Sequence, residues 1–354
     1  MKELLVGTKK GLFVLRGDGP EAFQIVTRVF EGDVVEYAMR DPRSGRYFAS
    51  VTSGFYGPRL MWTDDPAGTW EHAVTLAMPT DTDATMERIW VVRVGEAPGQ
   101  LWAGIDPAAL FESRDGGTTW ELNRGLWNQP SRPGWDPGNG GLCLHSISTW
   151  PGDPQRLSLG ISAVGTWHTI DGGETWTPGT KGLVPRYMPE ELRETTTALC
   201  VHNLWRAPAM PERLFLQFHG GVYRSDDAGG TWIDIAPGLP SDFGFPIVGD
   251  PADPDSAFVI PMNADIDRVT VDGRVRVYET RDAGTTWTAR SEGLPRYPAY
   301  LTVLREAFDR DGQGATMGLW FGATSGEVFG SIDAAASWFT VAPRLAPVTS
   351  VRVA

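Results

Sequence analysis

Residues 113–120 read "SRDGGTTW", and residues 169–176 repeat the spelling as "TIDGGETW". Ser or Thr, Asp, Gly, Thr and Trp keep the same spacing in both. A repeated stretch of this kind implies repeated structure around it, so a fixed period is the first thing to test. Further copies stand at Thr63–Trp70 ("TDDPAGTW"), Ser225–Trp232 ("SDDAGGTW"), Thr280–Trp287 ("TRDAGTTW") and Ser331–Trp338 ("SIDAAASW"), with a decayed one at Leu15–Phe23 ("LRGDGPEAF"). Successive copies start 48 to 56 residues apart. Propeller repeats run to roughly 40 to 50 residues, so the period points to a propeller.

Each copy has the same surroundings: an apolar run, a turn, a second apolar run ending in the motif, then a short run after its Trp. "LWAGIDPAALFESRDGGTTWEL" (Leu101–Leu122) and "LFLQFHGGVYRSDDAGGTWIDI" (Leu214–Ile235) show the pattern. One more run upstream, "LCLHSIST" (142–149) or "ALCVHNLW" (198–205), makes four strands, which is one propeller blade. Seven motifs predict an all-β, seven-bladed β-propeller of four-stranded antiparallel blades, spanning residues 1–354 as one domain. The C-terminal "VTSVRVA" (348–354) matches the first strand of a blade, and "ELLVGT" (3–8) the second. The last strand therefore completes the blade begun by residues 3–28 and removes the open edge of an incomplete ring.

Within the motif, Gly117, Gly173, Gly229 and Gly284 suit the positive φ of a tight hairpin between third and fourth strands. Asp115, Asp171, Asp227 and Asp282 can accept hydrogen bonds from the turn's own N–H groups. Trp120, Trp176, Trp232 and Trp287 supply apolar area between blades. The aspartates read as structural staples.

These residues resemble the BNR or Asp-box repeat of sialidases, of one- and two-propeller glycoside hydrolases, of sortilin-type receptors and of photosystem assembly factors. The resemblance covers essentially the whole chain, and it implies a propeller whose motif turns lie on one face and whose ligands bind at the opposite mouth of the central channel. It does not make the chain a sialidase. Those enzymes have six blades, an Arg-Ile-Pro stretch and an arginine triad, none of which is laid out here. Because one fold hosts many activities, the resemblance leaves two classes open. One is a glycoside-hydrolase-like enzyme acting on a small polar or carbohydrate substrate, and the other a non-catalytic propeller that binds a ligand or protein partner.

Composition narrows the partners. A net charge of −13 without a Lys/Arg-rich run argues against nucleic acid and anionic membranes, which need a clustered positive field. Met1–Arg16 lacks the apolar segment of a secretory signal, and nowhere do 18 apolar residues run together, so a cytoplasmic location is expected. Two cysteines, Cys143 and Cys200, form no paired metal motif and read as packing residues.

Two long connections, 123–141 and 181–197, lie on the face away from the motif, where loops carry function. The second contains "PEELRE", expected to form a helical turn begun by Pro189. Each loop feeds a strand with one spelling, Cys143-Leu144-His145 and Cys200-Val201-His202, and both histidines stand 12 residues before a second-strand leucine, Leu157 or Leu214. They are thus equivalent positions of adjacent blades, and His219 falls in the turn of the second of those blades. His145, His202 and His219 are the candidate ligands of a divalent transition metal, and His145 and His202 candidate acid/base groups. Glu36 and Glu87 form a candidate acid/base pair. Trp135, Trp90, Arg88, Arg305 and Tyr56 are the candidate substrate-binding residues, with Tyr37, Asp106 and the 263–268 stretch on the same rim.

Overall fold

The computed structural model describes residues 1–354 except 21, 139, 194–197 and 265. Seven four-stranded antiparallel sheets follow one another around a common axis, each with its strands in chain order from the centre outward. The innermost strands of blades 2 to 7 are Val34–Arg40, Arg88–Val94, Leu144–Trp150, Val201–Arg206, Gly244–Gly249 and Phe308–Asp311. Blade 1 is shared by the termini. Val348–Val353 is its innermost strand and pairs with Lys2–Thr8 in the register Leu4↔Val353, Val6↔Val351. Its Thr349 hydroxyl also donates to the Val35 carbonyl of blade 2, so the closing strand is tied sideways as well as along its ladder.

The repeated motif occupies the hairpin between third and fourth strands, as its glycines require. In the copy at Ser113, the Gly117 N–H donates to Ser113 Oγ at 2.8 Å while that hydroxyl donates to Asp115 Oδ1 at 2.9 Å. Asp115 also accepts from Thr119 N at 2.8 Å and from Thr119 Oγ1 at 2.7 Å. The same closed circuit holds Asp171, Asp227, Asp282 and Asp333. Hydroxyl donors from Thr169 and Thr175 pull the Asp171 carboxyl down to about 2. Gly229 has φ +95°, and a Cβ there would stand 2.2 Å from the His168 ring. Ala335 takes the corresponding place in the last copy with φ +67°. In the copy at Thr63 the circuit is altered: the Thr63 hydroxyl donates to the Thr69 carbonyl at 2.8 Å instead of to the carboxylate, and Ala67 N donates to Asp65 Oδ1 at 3.0 Å.

The five complete motif turns are also clamped to the connection between first and second strands of their own blades: Gly116 N–H donates to Gly99 O at 2.8 Å, Gly172 N–H to Gln155 O at 2.8 Å, and Ala228, Ala283 and Ala334 N–H groups to the carbonyls of Glu212, Asp255 and Met317. Both turns therefore lie at the C-terminal end of the inner strand. The motif tryptophans Trp120, Trp176, Trp232 and Trp338 are buried. Several reach the preceding blade: Trp232 Nε1 donates to Gly179 O, Trp287 to Ile235 O and Trp338 to Arg290 O. Each indole buries roughly 200 Å², several kcal/mol of transfer free energy. Outer strands are only two to four residues long in blades 2 to 7, for example Glu121–Leu122 and Ile233–Asp234, which leaves little open edge for unwanted pairing.

The long connections fold back onto the ring. Loop 123–141 carries a helical turn, Arg124–Trp127, capped by Asn123 Oδ1 accepting from Leu126 N at 2.8 Å, and a 3-10 turn at Arg132–Gly134. Arg132 stacks on Trp127, its carbon Cζ 3.6 Å from the ring centre. The turn expected at Pro189 is a 3-10 turn over Glu190–Leu192; the remainder of "PEELRE" at residue 194, the loop end 195–197 and residue 265 of the 263–268 stretch lie outside the described residues. Among the described residues no helix is long and apolar enough to cross a membrane.

Candidate functional site

The channel mouth opposite the motif turns is built at one recurring position. In blades 2 to 6 the ladder between first and second strands slips next to its start: between Val35 and Tyr37, Ile89 and Val91, Leu144 and Ser146, Val201 and Asn203, and Gly244 and Ile247. The residues left over are Glu36, Trp90, His145, His202 and, with Pro246, Phe245. A bulge releases its residue from the ladder and re-aims its side chain. Four of the expected site residues are thus one structural position in four blades, and Phe245 is a fifth that spacing did not reveal.

Arg305, which precedes the inner strand of blade 7, joins them across the channel. Its Nε donates to the His202 carbonyl at 3.2 Å, and its Cζ lies 5.3 Å from the Trp90 ring centre and 5.2 Å from that of Phe245. Asn203 Nδ2 returns a bond to the Arg305 carbonyl at 2.8 Å. Arg305 makes no ion pair among the described residues. Arg88 covers the other side of Trp90, with Cζ 4.8 Å from the ring centre, and pairs with Glu36 at 3.2 Å.

Two carboxyls meet at Arg88. Burial raises the Glu36 carboxyl above its ordinary range, with Arg88 opposing. Asp106, cross-strand partner of Arg88, is raised by burial too; the Cys143 thiol, which donates to it at 3.4 Å, and Arg88 oppose this, while Glu87 adds to it. Burial, and then Asp106, push the Cys143 thiol well up. Glu87 itself is exposed on the rim and ties its N–H to Asp106 O at 2.8 Å.

The two equivalent histidines make one clasp in two ways. His145 is fully buried; its Nε2 donates to Val201 O of blade 5 at 2.9 Å, and its Nδ1 sits 2.9 Å from Ser146 Oγ. His202 is 2% exposed and donates Nδ1–H to Gly244 O of blade 6 at 2.6 Å, which leaves Nε2 as its lone-pair nitrogen. Burial, with Arg305 second, holds both imidazoles well below their ordinary value, so both are neutral at neutral pH.

Of the three expected metal ligands, the structure groups His202 and His219 with Cys200: one ligand atom of each lies within 4.8 Å of the others. His145 is not in that group, and both its nitrogens are engaged. Tyr187 from the long loop covers His219, with ring centres 4.2 Å apart, and its hydroxyl accepts from Cys200 N at 3.1 Å.

Two expected aromatic contacts lie elsewhere. Trp135 is 5% exposed, packed against Trp167 at 5.2 Å between ring centres, and donates to Ser131 Oγ at 3.1 Å; it is a core residue, because Arg132 and Trp127 fold the loop over it. Tyr56 is 74% exposed at a turn tip, where Arg59 stacks on it. Tyr37 is buried and accepts from Arg93 Nη1 at 3.0 Å. At the motif end of the channel, a cavity of about 300 Å³ is lined by Arg93, Asn203, Arg206, Asp309, Arg310 and Arg352 among others. Arg352 is paired there with the buried Glu306.

No protein-family profile and no curated protein matches this sequence. The architecture is that of a seven-bladed β-propeller, and solved structures share the fold. An ancestral GH74 enzyme is 14% identical with a TM-score of 0.56, over 90% of this chain and 38% of its own. The GH74 xyloglucanase from Xanthomonas campestris is 17% identical with a TM-score of 0.57, over 86% of this chain and 45% of its own. YCF48 bound to D1 peptide is 14% identical with a TM-score of 0.50, over 81% and 76%. This chain spans less than half of the GH74 chains. At such identity the likeness is one of fold.

Proposed function

We propose that this protein is a hydrolase acting on a small polar or carbohydrate substrate at the channel mouth. One observation carries the reading: Glu36 and Asp106, both raised by burial, flank Arg88 beside Trp90 and the unpaired Arg305 at the same mouth. A carboxyl whose proton affinity is raised by burial is better suited to give a proton to a leaving-group oxygen as water attacks. Glu87, on the rim next to Asp106, is placed to take the proton from that water. Trp90 offers an apolar face to a sugar ring or similar body, and Arg305 and Arg88 offer donors to a carboxylate or hydroxyl. His145 and His202 act here as positioning residues, holding blades 4, 5 and 6 together around the mouth. The likeness to GH74 enzymes supports the reading at the level of fold.

The test is turnover of a panel of aryl glycosides and esters by the purified protein. Glu36→Gln is expected to lower kcat/KM at least about 100-fold at unchanged melting temperature, in line with the 10²–10⁴ of acid–base catalysis, and Arg305→Lys to raise KM by removing a planar pair of donors. A silent panel, or turnover indifferent to both substitutions, would overturn the reading. A second reading has its own support: the inter-blade bonds of His145 and His202 and the spanning Arg305 make the mouth rigid and partly filled, which suits a binding propeller. Ligand binding that needs Arg305 without any turnover would decide for it.

A further inference from the structure

The duplicated Cys-x-His spelling offers an internal comparison. In blade 5 the first-strand ladder is continued beyond Val201↔Phe218 by His219 N donating to Cys200 O at 3.0 Å. Cys200 and His219 are therefore cross-strand neighbours, and the bulge at His202 brings its ring beside them, 5.2 Å from that of His219 between ring centres. In blade 4 the same continuation is Ser162 N donating to Cys143 O at 2.9 Å. Ser162 thus stands where His219 stands. Cys143 donates to Asp106 and Gly140 O instead, and Ser162 Oγ is buried with no hydrogen-bond partner among the described residues. Blade 4 has the frame of a three-ligand group without the third ligand; blade 5 has all three.

We infer that Cys200 Sγ, His202 Nε2 and one ring nitrogen of His219 form a site for a divalent d-block ion of borderline softness, of which Zn2+ is the type. Three features support it. Thiolate with two imidazoles is a donor set such ions select over Mg2+ or Ca2+. The Nδ1–H of His202 is held by the Gly244 carbonyl, the outer-shell contact that metal-bound histidines almost always make. The ligand atoms, within 4.8 Å of one another, need to close to about 3.5 Å for tetrahedral bonds of 2.0–2.3 Å, a shift that side-chain rotation supplies. Three protein ligands leave one position for water or substrate, the pattern of catalytic rather than structural zinc. The site deepens the hydrolase reading and rests on it only for what the ion would do, because the group lies at the same mouth as Arg305, whose charge acts on both Cys200 and His202.

The experiment is titration of chelator-treated full-length protein with Co2+. Stoichiometric binding is expected, with a thiolate-to-cobalt charge-transfer band in the near ultraviolet that Zn2+ then displaces. Cys200→Ser should abolish the band. His219→Gln should weaken binding by more than the roughly 10- to 100-fold that loss of an outer-shell partner costs, and Cys143→Ser should leave both unchanged. Melting of each metal-free variant shows that the ring is intact. No band in the parent protein, a band that survives Cys200→Ser, or one lost only with Cys143→Ser would each overturn the site. Because the spectrum is independent of turnover, a band with a silent substrate panel leaves the site standing and removes the hydrolase reading. Turnover without a band does the reverse.

Discussion

The two ends of the channel use repetition in opposite ways. At the motif end, one position carries the same residue and the same bonds in blade after blade: Asp115, Asp171, Asp227, Asp282 and Asp333 each close the same hairpin circuit. At the mouth, one position, the bulge of the inner strand, carries Glu36, Trp90, His145, His202 and Phe245 in five successive blades. Uniform chemistry at a repeated place is what holding a ring requires, since every hairpin has the same N–H groups to satisfy. Diversity at a repeated place is what a single asymmetric site requires, because only one copy of each group can face one ligand.

The sharpest way to break this comparison is at Gly229. Gly229→Ala puts a Cβ at φ +95° and into the His168 ring, and about 3 kcal/mol of stability is expected to go, from left-handed strain plus overpacking. Chemical denaturation measures it. Ligand binding or turnover at folded temperatures should survive, and a loss of activity without a loss of stability would erase the division between the two ends.

The next effect is pH dependence. His145 and His202 at the mouth, and His168 between blades 4 and 5 with a pKa held to about 4, chiefly by burial, are neutral in the folded chain and protonate near 6.5 when it unfolds. The unfolded state therefore binds more protons below that pH, and stability is full above it and lost as pH falls. Each histidine contributes a slope of up to about 1.4 kcal/mol per pH unit. The motif aspartates act in a lower window: their stabilisation is present above about 3.9, the unfolded value, and for Asp171 is lost as pH falls to about 2. Melting curves from pH 7.5 to 2.5 should show both steps, and His145→Gln should flatten only the upper one. A single step below pH 4 would show that the mouth histidines carry no such load.

The smallest effect sharpens the uniform end. Ala335 alone among the five complete motif copies puts a side chain at the position held elsewhere by Gly117, Gly173, Gly229 and Gly284. Ala335→Gly relieves left-handed strain but gives up a buried methyl and adds unfolded-chain entropy. A change of about 1 kcal/mol or less is expected, stabilising in sign. A large destabilisation would mean that this methyl, rather than the turn, holds blade 7.

The legibility of each end follows the reach of its interactions. The hairpin circuit from Ser113 to Trp120 is closed within eight residues, so its hydroxyl, carboxylate and glycines can be matched to their partners along the chain. Ring closure was legible for a similar reason: the apolar alternation of "VTSVRVA" matches the first strand of a blade, and "ELLVGT" the second. The equivalence of His145 and His202 was also readable from equal spacing. Their unequal roles were not, because which ring nitrogen takes the clasp depends on a carbonyl 42 to 56 residues away in the next blade. The nearness of Cys200 to His219 is set by strand pairing, which no local spelling records. Loop length does not say whether a loop folds back over its own aromatics, as the loop carrying the buried Trp135 does.

The sequence by itself determined the seven-fold ring, its closing strand and the hairpin staples, since the staples are specified by hydrogen bonds within eight residues and the strands by an apolar pattern that recurs in every repeat. Only the tertiary structure decided what stands at the mouth. There Glu36, Arg88, Trp90, Asp106, Cys200, His202, His219, Phe245 and Arg305 come from five blades. Their meeting depends on the bulge that turns each inner strand and on the closure that brings blade 7 across from blade 3.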